Sequence, residues 1–213
     1  MKVGILAVGS HAERHGAALP PDTDARIAEH IAREASKRTN VEFLGVMKKS
    51  YELPGIDTGE HQTLDELAGE LKEKLEQARA SGFEAIVLVN GHGGNLDLGE
   101  RLDALQSETG VRVKFNSRII ELEVAHAATE EVSIGSAIGI ADESKISEHA
   151  NAEKHPEVGF VGFKEARERY DWAEEHAQRT IKEGVQIDKK LGERLLAEAI
   201  ENVVKDVNEL ASL

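Results

Sequence analysis

With 213 residues, the chain is long enough for one α/β domain with a substantial core, and no linker-like stretch of Pro, Gly or Ser divides it. Its formal net charge of −14 argues against nucleic-acid and anionic-membrane partners, because phosphate recognition needs a basic surface. The sequence has no cysteine, which excludes disulfides and thiolate sites, so any metal ion must be bound by histidine and carboxylate side chains.

The predicted elements alternate between strand and helix over the first half of the chain. Apolar runs predict strands at residues 2–8, 41–46, 85–89 and 111–115. Helical apolar spacing predicts helices at residues 25–37, 63–81 and 96–109, with a last amphipathic helix from about residue 188. This alternation predicts a single domain, residues 1–213, with a three-layer αβα architecture and a mostly parallel sheet.

The segments between residues 116 and 187 are less regular. Ile119 to Val124 is predicted as a further strand or short extended segment, and His126 to Ile140 as helical. The single tryptophan, Trp172, is expected in the core or at an interface rather than in a site.

The apolar start of the chain, Val3 to Val8, runs directly into a polar segment and is too short for a signal peptide. No other stretch approaches the length and apolarity of a membrane span. We therefore expect a cytoplasmic protein with no membrane partner.

The first polar segment, GSHAERHGAALPPDTD at residues 9–24, leaves the carboxyl end of the first strand, where open α/β sheets build their sites. Glu13 and His15 are two residues apart, so in extended backbone they point the same way. Asp24 can return to the same centre if the two prolines fix the intervening bend. Alternatively, Asp24 caps the following helix, and Glu13 and His15 are solvated loop residues.

A second segment, NGHGGN at residues 90–95, follows the third predicted strand in the same way. The glycines around His92 permit unusual backbone angles and a close approach to a ligand. Alternatively, this segment is a phosphate-binding loop or a plain turn into the next helix. Two such loops at the ends of two buried strands can face each other across one crevice.

Together the two segments resemble the creatininase family of metal-dependent amidohydrolases, whose hallmark is Gly-Ser…Glu-x-His-Gly…Leu-Pro…Thr-Asp followed by Asn-Gly-His-Gly-Gly-Asn. The resemblance implies a two-metal centre in which Glu13 and His92 bind one ion, His15 binds the other and Asp24 bridges them. Imidazole and carboxylate ligands suit zinc, manganese or Fe(II). Two such ions polarise a carbonyl group and lower the pKa of water towards neutral, which suits amide hydrolysis.

The segment HAATEEVS, residues 126–133, stands where the family usually has His-Ala-Gly-Glu-x-Glu-Thr-Ser. His126 and Glu131 match that pattern and are the candidates to protonate the leaving nitrogen. Alternatively, His126 is a core or capping histidine, and Glu131 is a carboxylate in the first turn of a helix.

One departure from the family concerns the second ion. In creatininase itself, a Glu lies two residues after the histidine that corresponds to His92, and Gly94 takes that place here. The matching motifs therefore give the second ion only His15 and Asp24, with Glu131, substrate or water to complete its ligands. This departure argues against creatinine as the substrate.

HAATEEVS and PEVGFVGFKEAR, residues 156–167, resemble an archaeal branch of the family, the deformylases of a formylaminopyrimidine nucleotide. The resemblance implies release of formate from this small molecule, on the route to riboflavin and the deazaflavin coenzyme. It also implies two divalent ions per subunit, with Fe(II) expected and zinc or manganese possible. Members of the family tend to form symmetric oligomers, so the resemblance also implies a homo-oligomer.

Two other functions stay open at this point. One is a different amidohydrolase of the same family, which acts on creatinine or a peptide-like amide. The other is a non-catalytic, nucleotide-binding α/β module in which NGHGGN serves as a phosphate loop and no metal is needed.

Overall fold

The computed structural model describes residues 1–213 as four strands, nine α-helices and three short 3₁₀ segments. The strands are β1 (Val3–Val8), β2 (Glu42–Met47), β3 (Ala85–Asn90) and β4 (Arg112–Asn116). The helices are α1 (Thr23–Thr39), α2 (Leu64–Ala80), α3 (Leu102–Thr109), α4 (Arg118–Glu123), α5 (Thr129–Ala137), α6 (Ile146–His149), α7 (Lys164–Arg169), α8 (Asp171–Glu183) and α9 (Lys189–Ala211). The 3₁₀ segments are Gly93–Arg101, Glu143–Lys145 and Val158–Phe160.

The four strands form one parallel sheet in the order β2-β1-β3-β4, which confirms the predicted fold class. β1 and β3 lie side by side at the centre, and all of their residues are buried. Val8 pairs with Asn90, so the two central strands end at the same level. The loops that follow them, with the two polar motifs, therefore start next to each other.

Each face of the sheet carries its own hydrophobic core, because successive side chains of a strand point to opposite faces. On one face, β1 and β3 pack against α1 and α9. On the other face, they pack against α2 and α3. Burial on both faces explains why the central strands read as uninterrupted apolar runs. No helix, including the 23-residue α9, has the length and apolarity that a membrane span requires.

The boundaries follow from local chemistry at several points. α2 begins with the predicted capping box, in which the Thr63 side chain accepts from Glu66 N–H and the Glu66 carboxylate accepts from Thr63 N–H. The predicted helix at residues 96–109 begins earlier, as the 3₁₀ segment Gly93–Arg101, and becomes α3.

The expected strand at residues 119–124 is wrong, because this segment forms α4. Ile119, Ile120 and Leu122 pack against the core that α1 and α9 cover. Such a short apolar run fits a strand and a helix equally well by its periodicity. The helix ends in a tight turn at Val124, whose φ is 62° and which brings Ala125 N–H to 2.7 Å from Glu123 O.

Two glycines at the ends of the central strands allow α1 to begin directly on the edge of the sheet. A Cβ at Gly9 would lie 2.7 Å from backbone atoms of Asp24 and Ala25. A Cβ at Gly91 would clash with the carbonyl oxygen of Asp24. The glycines thus place the first turn of α1, with Asp24, between the ends of β1 and β3.

We expect Gly91→Ala to lower the free energy of unfolding by about 1–3 kcal/mol, because the Asp24 backbone cannot yield without moving α1. Gly93→Ala is the matched control, since no heavy atom lies within 4 Å of a Cβ there. Urea unfolding of both variants measures the difference. Equal stability of the two variants would contradict the packing role of Gly91.

Candidate metal centre

The carboxylate of Asp24 lies between two buried histidines at the carboxyl edge of the sheet. Its Oδ1 is 2.8 Å from His15 Nε2, and its Oδ2 is 2.8 Å from His92 Nδ1. Asp24 lies in the first turn of α1, whereas Asp22 holds the N-cap position without a side-chain capping bond. The alternative that Asp24 serves as the helix cap is therefore wrong.

Glu13 approaches His92 from the other side, with Oε2 at 3.0 Å from Nδ1. This oxygen is buried, and its contact with His92 lacks the geometry of a hydrogen bond. The backbone of Glu13 is held on both sides, since its N–H donates to Pro21 O and it forms a β-bridge with Gly59. The alternative that Glu13 and His15 are solvated loop residues is also wrong, because each is at most 2% exposed.

Backbone carbonyls orient both histidine rings. His92 Nε2 is 3.0 Å from Tyr51 O, and His15 Nδ1 is 3.2 Å from Glu13 O. A carbonyl oxygen only accepts, so each of these nitrogens carries a proton. His92 Nδ1 and His15 Nε2 are left facing carboxylates, as atoms that take either a second proton or a metal ion.

The two other predicted site residues also lie at this centre. Glu131, in the first turn of α5, has Oε1 at 3.2 Å from His15 Nε2, and its Oε2 accepts from Ala127 N–H at 2.6 Å. The ring of half-buried His126 lies 4.6 Å from that of His15, with Nδ1 at 3.8 Å from Glu13 Oε1. Glu131 thus faces His15, whereas His126 faces Glu13 and the open space beyond it.

Sequence reasoning missed two further carboxylates, Glu52 and Glu123. Glu52 has Oε2 at 3.5 Å from His92 Nε2, and its Oε1 accepts from Leu53 N–H. Glu123, at the end of α4, is 8% exposed and its Oε1 makes no hydrogen bond. The position of Glu52 after β2, at the same edge of the sheet, was the one signal available. Glu123 gave none, because its segment reads equally well as a strand.

Gly94 stands where a side chain has no room. A Cβ there would clash with Tyr51 O and would lie 2.8 Å from Glu52 Oε1. The loop after β2 therefore occupies the space that a glutamate at this position would need, and it brings the carboxylate of Glu52 instead.

The electrostatics of the centre favour a cation. Burial alone would lower the pKa of His15 and His92, but the facing carboxylates outweigh it and raise both pKa values well above the ordinary range. Burial raises the pKa of Glu123 well above its usual value, and nearby Glu131 and Asp24 add to that shift. The pKa of Glu13 is lowered despite burial, because of His92. The centre thus contains more carboxyl groups than imidazole rings.

The centre opens into a cavity of about 640 Å³. Its polar wall includes Glu13, Glu52, His92, His126 and Glu131, and no Lys or Arg lines it. Its apolar wall is formed by side chains from five parts of the chain: Leu53, Leu96, Ile120, Val124, Phe160 and Trp172. Trp172, expected in the core or at an interface, is thus a half-buried wall residue, packed edge-on against Phe160 at 5.3 Å between ring centroids.

Solved structures share this architecture. A zinc form of a creatininase mutant matches with a TM-score of 0.69 and 12% identity, over 98% of this chain and 90% of that chain. At this identity, the likeness establishes the fold alone.

Curated relatives match over almost their whole length. A 2-amino-5-formylamino-6-ribosylaminopyrimidin-4(3H)-one 5′-monophosphate deformylase of Methanothermobacter thermautotrophicus is 45% identical, over 100% of this chain and 91% of its own. The enzyme of the same name from Methanobrevibacter smithii is 40% identical, over 98% and 91%. The family profile named creatininase, described as creatinine amidohydrolase, matches residues 1–207. The chain therefore belongs to the creatininase family of hydrolases.

Proposed function

We propose that the protein is a metal-dependent deformylase that hydrolyses the formamide of 2-amino-5-formylamino-6-ribosylaminopyrimidin-4(3H)-one 5′-monophosphate. The products are formate and the corresponding 2,5-diaminopyrimidine nucleotide. The shared carboxylate of Asp24, in contact with both His15 and His92, is the observation on which the assignment of a two-metal hydrolase rests. The choice of substrate rests on the full-length identity to relatives of that name.

The side chains fit two metal subsites that share Asp24. In the first subsite, His92 Nδ1 has Glu13 Oε2 at 3.0 Å and Asp24 Oδ2 at 2.8 Å, and Glu52 offers a further ligand atom beside Glu13 and His92. The second consists of His15 Nε2, Asp24 Oδ1 and Glu131 Oε1, whose ligand atoms lie within 4.8 Å of one another. The buried Glu13 oxygen without a hydrogen bond supports this fit, because a cation would satisfy it.

The donor set of nitrogen and oxygen atoms suits Fe(II), zinc or manganese, and Fe(II) is our expectation for the native metal. Ions held there supply Lewis acidity, which activates water near neutral pH and polarises the formyl carbonyl. Glu131 supplies the third side chain of the second subsite, so each subsite would have at least three protein ligands.

His126 is our candidate for the proton donor to the leaving nitrogen. Its Nε2 donates to Arg14 O at 2.8 Å, which leaves Nδ1 as the ring atom free to exchange a proton in the cavity. Both oxygens of Glu131 are engaged, by His15 and by Ala127 N–H, so it would hold the second ion rather than move a proton. Water adds to the formyl carbon and passes a proton to His126 Nδ1, which returns that proton to the departing amine as the C–N bond breaks. The formic acid then loses its own proton to solvent as formate.

The cavity has the volume of a site for a small molecule, and its aromatic wall, Phe160 and Trp172, offers a surface for a planar pyrimidine ring. Because no Lys or Arg lines the cavity, we place the 5′-phosphate at its open mouth. A homo-oligomer in the cytoplasm, with neither nucleic acid nor a membrane as a partner, stays a prediction.

Release of formate from the nucleotide tests the proposed activity directly. We expect the purified protein with Fe(II), manganese or zinc to release one formate per nucleotide, and a chelator to abolish the reaction. Creatinine is the competing substrate, and we expect no turnover of it. Turnover of creatinine without release of formate would instead support another amidohydrolase of the same family. Nucleotide binding by a metal-free, inactive protein would support the non-catalytic module.

The pair His126→Ala and Glu131→Gln separates proton transfer from metal binding. We expect His126→Ala to lower kcat about 10²–10⁴-fold, the usual share of a general acid, with metal content unchanged. Glu131→Gln is expected to retain the first ion and lose the second. Elemental analysis measures the metal content of each variant, and the activity assay measures its kcat. Loss of metal in His126→Ala would refute its assignment as the proton donor.

Metal binding should release protons from the centre. The raised pKa values of His15 and His92 favour a second proton on both rings in metal-free protein, and a metal ion must displace it. We therefore expect metal affinity to rise with pH, and calorimetry in buffers of different ionisation enthalpy to show proton release.

Asp24→Asn should reduce the number of protons released per ion bound, because one of the carboxylates that raise the pKa values of His15 and His92 is gone. Asp22→Asn is the control, since Asp22 forms an ion pair with Arg26 instead. Metal binding with no proton exchange at pH 7 would contradict this account of the two rings.

A further inference from the structure

His149, the last residue of α6, is fully buried and contacts none of the proposed metal ligands by hydrogen bond. Its Nδ1 accepts from Ala18 N–H at 3.1 Å, and its Nε2 lies 2.7 Å from Ala127 O. Because a backbone N–H only donates and a carbonyl only accepts, the ring is neutral with its proton on Nε2. The pKa of His149 is lowered, chiefly by burial, which agrees with a neutral ring.

The two backbone partners of His149 belong to the two loops that form the second subsite. Ala18 follows His15 by three residues in the first motif. Ala127 follows His126, and its N–H donates to Glu131 Oε2 at 2.6 Å. His149 therefore joins the loop that carries His15 to Ala127, the residue whose N–H orients Glu131.

Ala127 has a φ of 52°, in the left-handed region that residues other than glycine rarely adopt. Such a conformation persists only where the surroundings fix it. The hydrogen bond from His149 to its carbonyl oxygen provides such a restraint, directly at the strained residue.

The chain around His149 adds further contacts to the same two loops. We name residues 149–159 the clamp segment. Gly16 N–H donates to the buried Glu157 Oε1 at 3.0 Å, and Gly159 N–H donates to His126 O at 2.7 Å. A Cβ at Gly16 would clash with the ring of His149, so the first loop packs directly on it. Both loops are thus held by one segment.

We propose that His149 is a positioning residue of the second metal subsite, which holds His15 and Glu131 at the separation that one ion requires. The first subsite depends on other parts of the fold. Glu13 is held by its β-bridge to Gly59, and Asp24 and His92 are placed by the ends of the central strands. Loss of His149 should therefore lower the affinity of the second subsite for its ion and leave the affinity of the first subsite unchanged. This inference rests on the proposed two-metal function.

The test is a titration of metal-free protein with Mn²⁺, followed by calorimetry, with the metal content measured after dialysis. Wild type should bind two ions. His149→Ala should raise the dissociation constant of one ion about 10–100-fold and leave that of the other unchanged. This is the range found when a residue that orients a metal ligand is removed. His30→Ala, at a half-buried histidine of α1, is the control and should bind both ions as wild type does.

Two substitutions keep one hydrogen bond each and most of the volume. His149→Gln places a donor near the former Nε2, for Ala127 O, whereas His149→Asn places an acceptor near the former Nδ1, for Ala18 N–H. Because the bond to Ala127 orients Glu131, we expect the glutamine variant to bind the second ion more tightly than the asparagine variant. These two variants decide the question if His149→Ala does not fold.

A double variant tests whether the backbone of Ala127 is the route of the effect. Glycine adopts positive φ without strain, so Ala127→Gly in the His149→Ala background should restore part of the second ion's affinity. Destabilisation of the whole domain would not be relieved by removing a buried methyl group.

The outcomes separate the two proposals. Wild type that binds no metal would overturn the proposed function itself. Wild type that binds two ions, with His149 variants that bind both equally well or weaken both alike, would overturn the positioning role and leave the proposed function intact.

Discussion

The buried carboxylate of Asp24, shared by two histidines, is the interaction on which the rest of the centre depends. A carboxylate removed from water is costly unless a cation or strong donors face it. The fold meets this requirement by placing the first turn of α1 on the edge of the sheet, where Gly9 and Gly91 leave room for it. His15 and His92 then reach it from the loops after β1 and β3.

Much of this arrangement was predictable from the sequence, for physical reasons. The central strands are buried on both faces, so they read as apolar runs, and parallel strands bring their following loops to one edge. The two loops could therefore be placed at one edge, and the resemblance of their motifs to the creatininase family assigned Glu13, His15, Asp24 and His92 to one centre. Glu52 and Glu123 could not, because their approach depends on the path of a loop and of α4 in three dimensions. The periodicity of residues 119–122 did not distinguish helix from strand.

Gly94, where creatininase has a glutamate, shows how the course of a neighbouring loop determines which carboxylates approach the histidines. The loop of Tyr51 and Glu52 fills the space beside Gly94, so the glutamate expected two residues after His92 has no room. Two other carboxylates approach the histidines instead, Glu52 beside His92 and Glu131 beside His15. These two carboxylates therefore come from other positions than the one where creatininase has its glutamate, and none of the negative charge is missing.

The two histidines present different ring atoms to the centre, Nδ1 from His92 and Nε2 from His15. Nδ1 is bonded directly to the ring carbon that joins the side chain, whereas Nε2 lies at the far end of the ring. An ion beside His92 would thus be held close to the backbone just after β3, whereas an ion beside His15 would be held at the far end of the ring, further from the chain. Of two ions held in this way, the ion beside His15 would exchange with solvent first, and the ion beside His92 would stay bound.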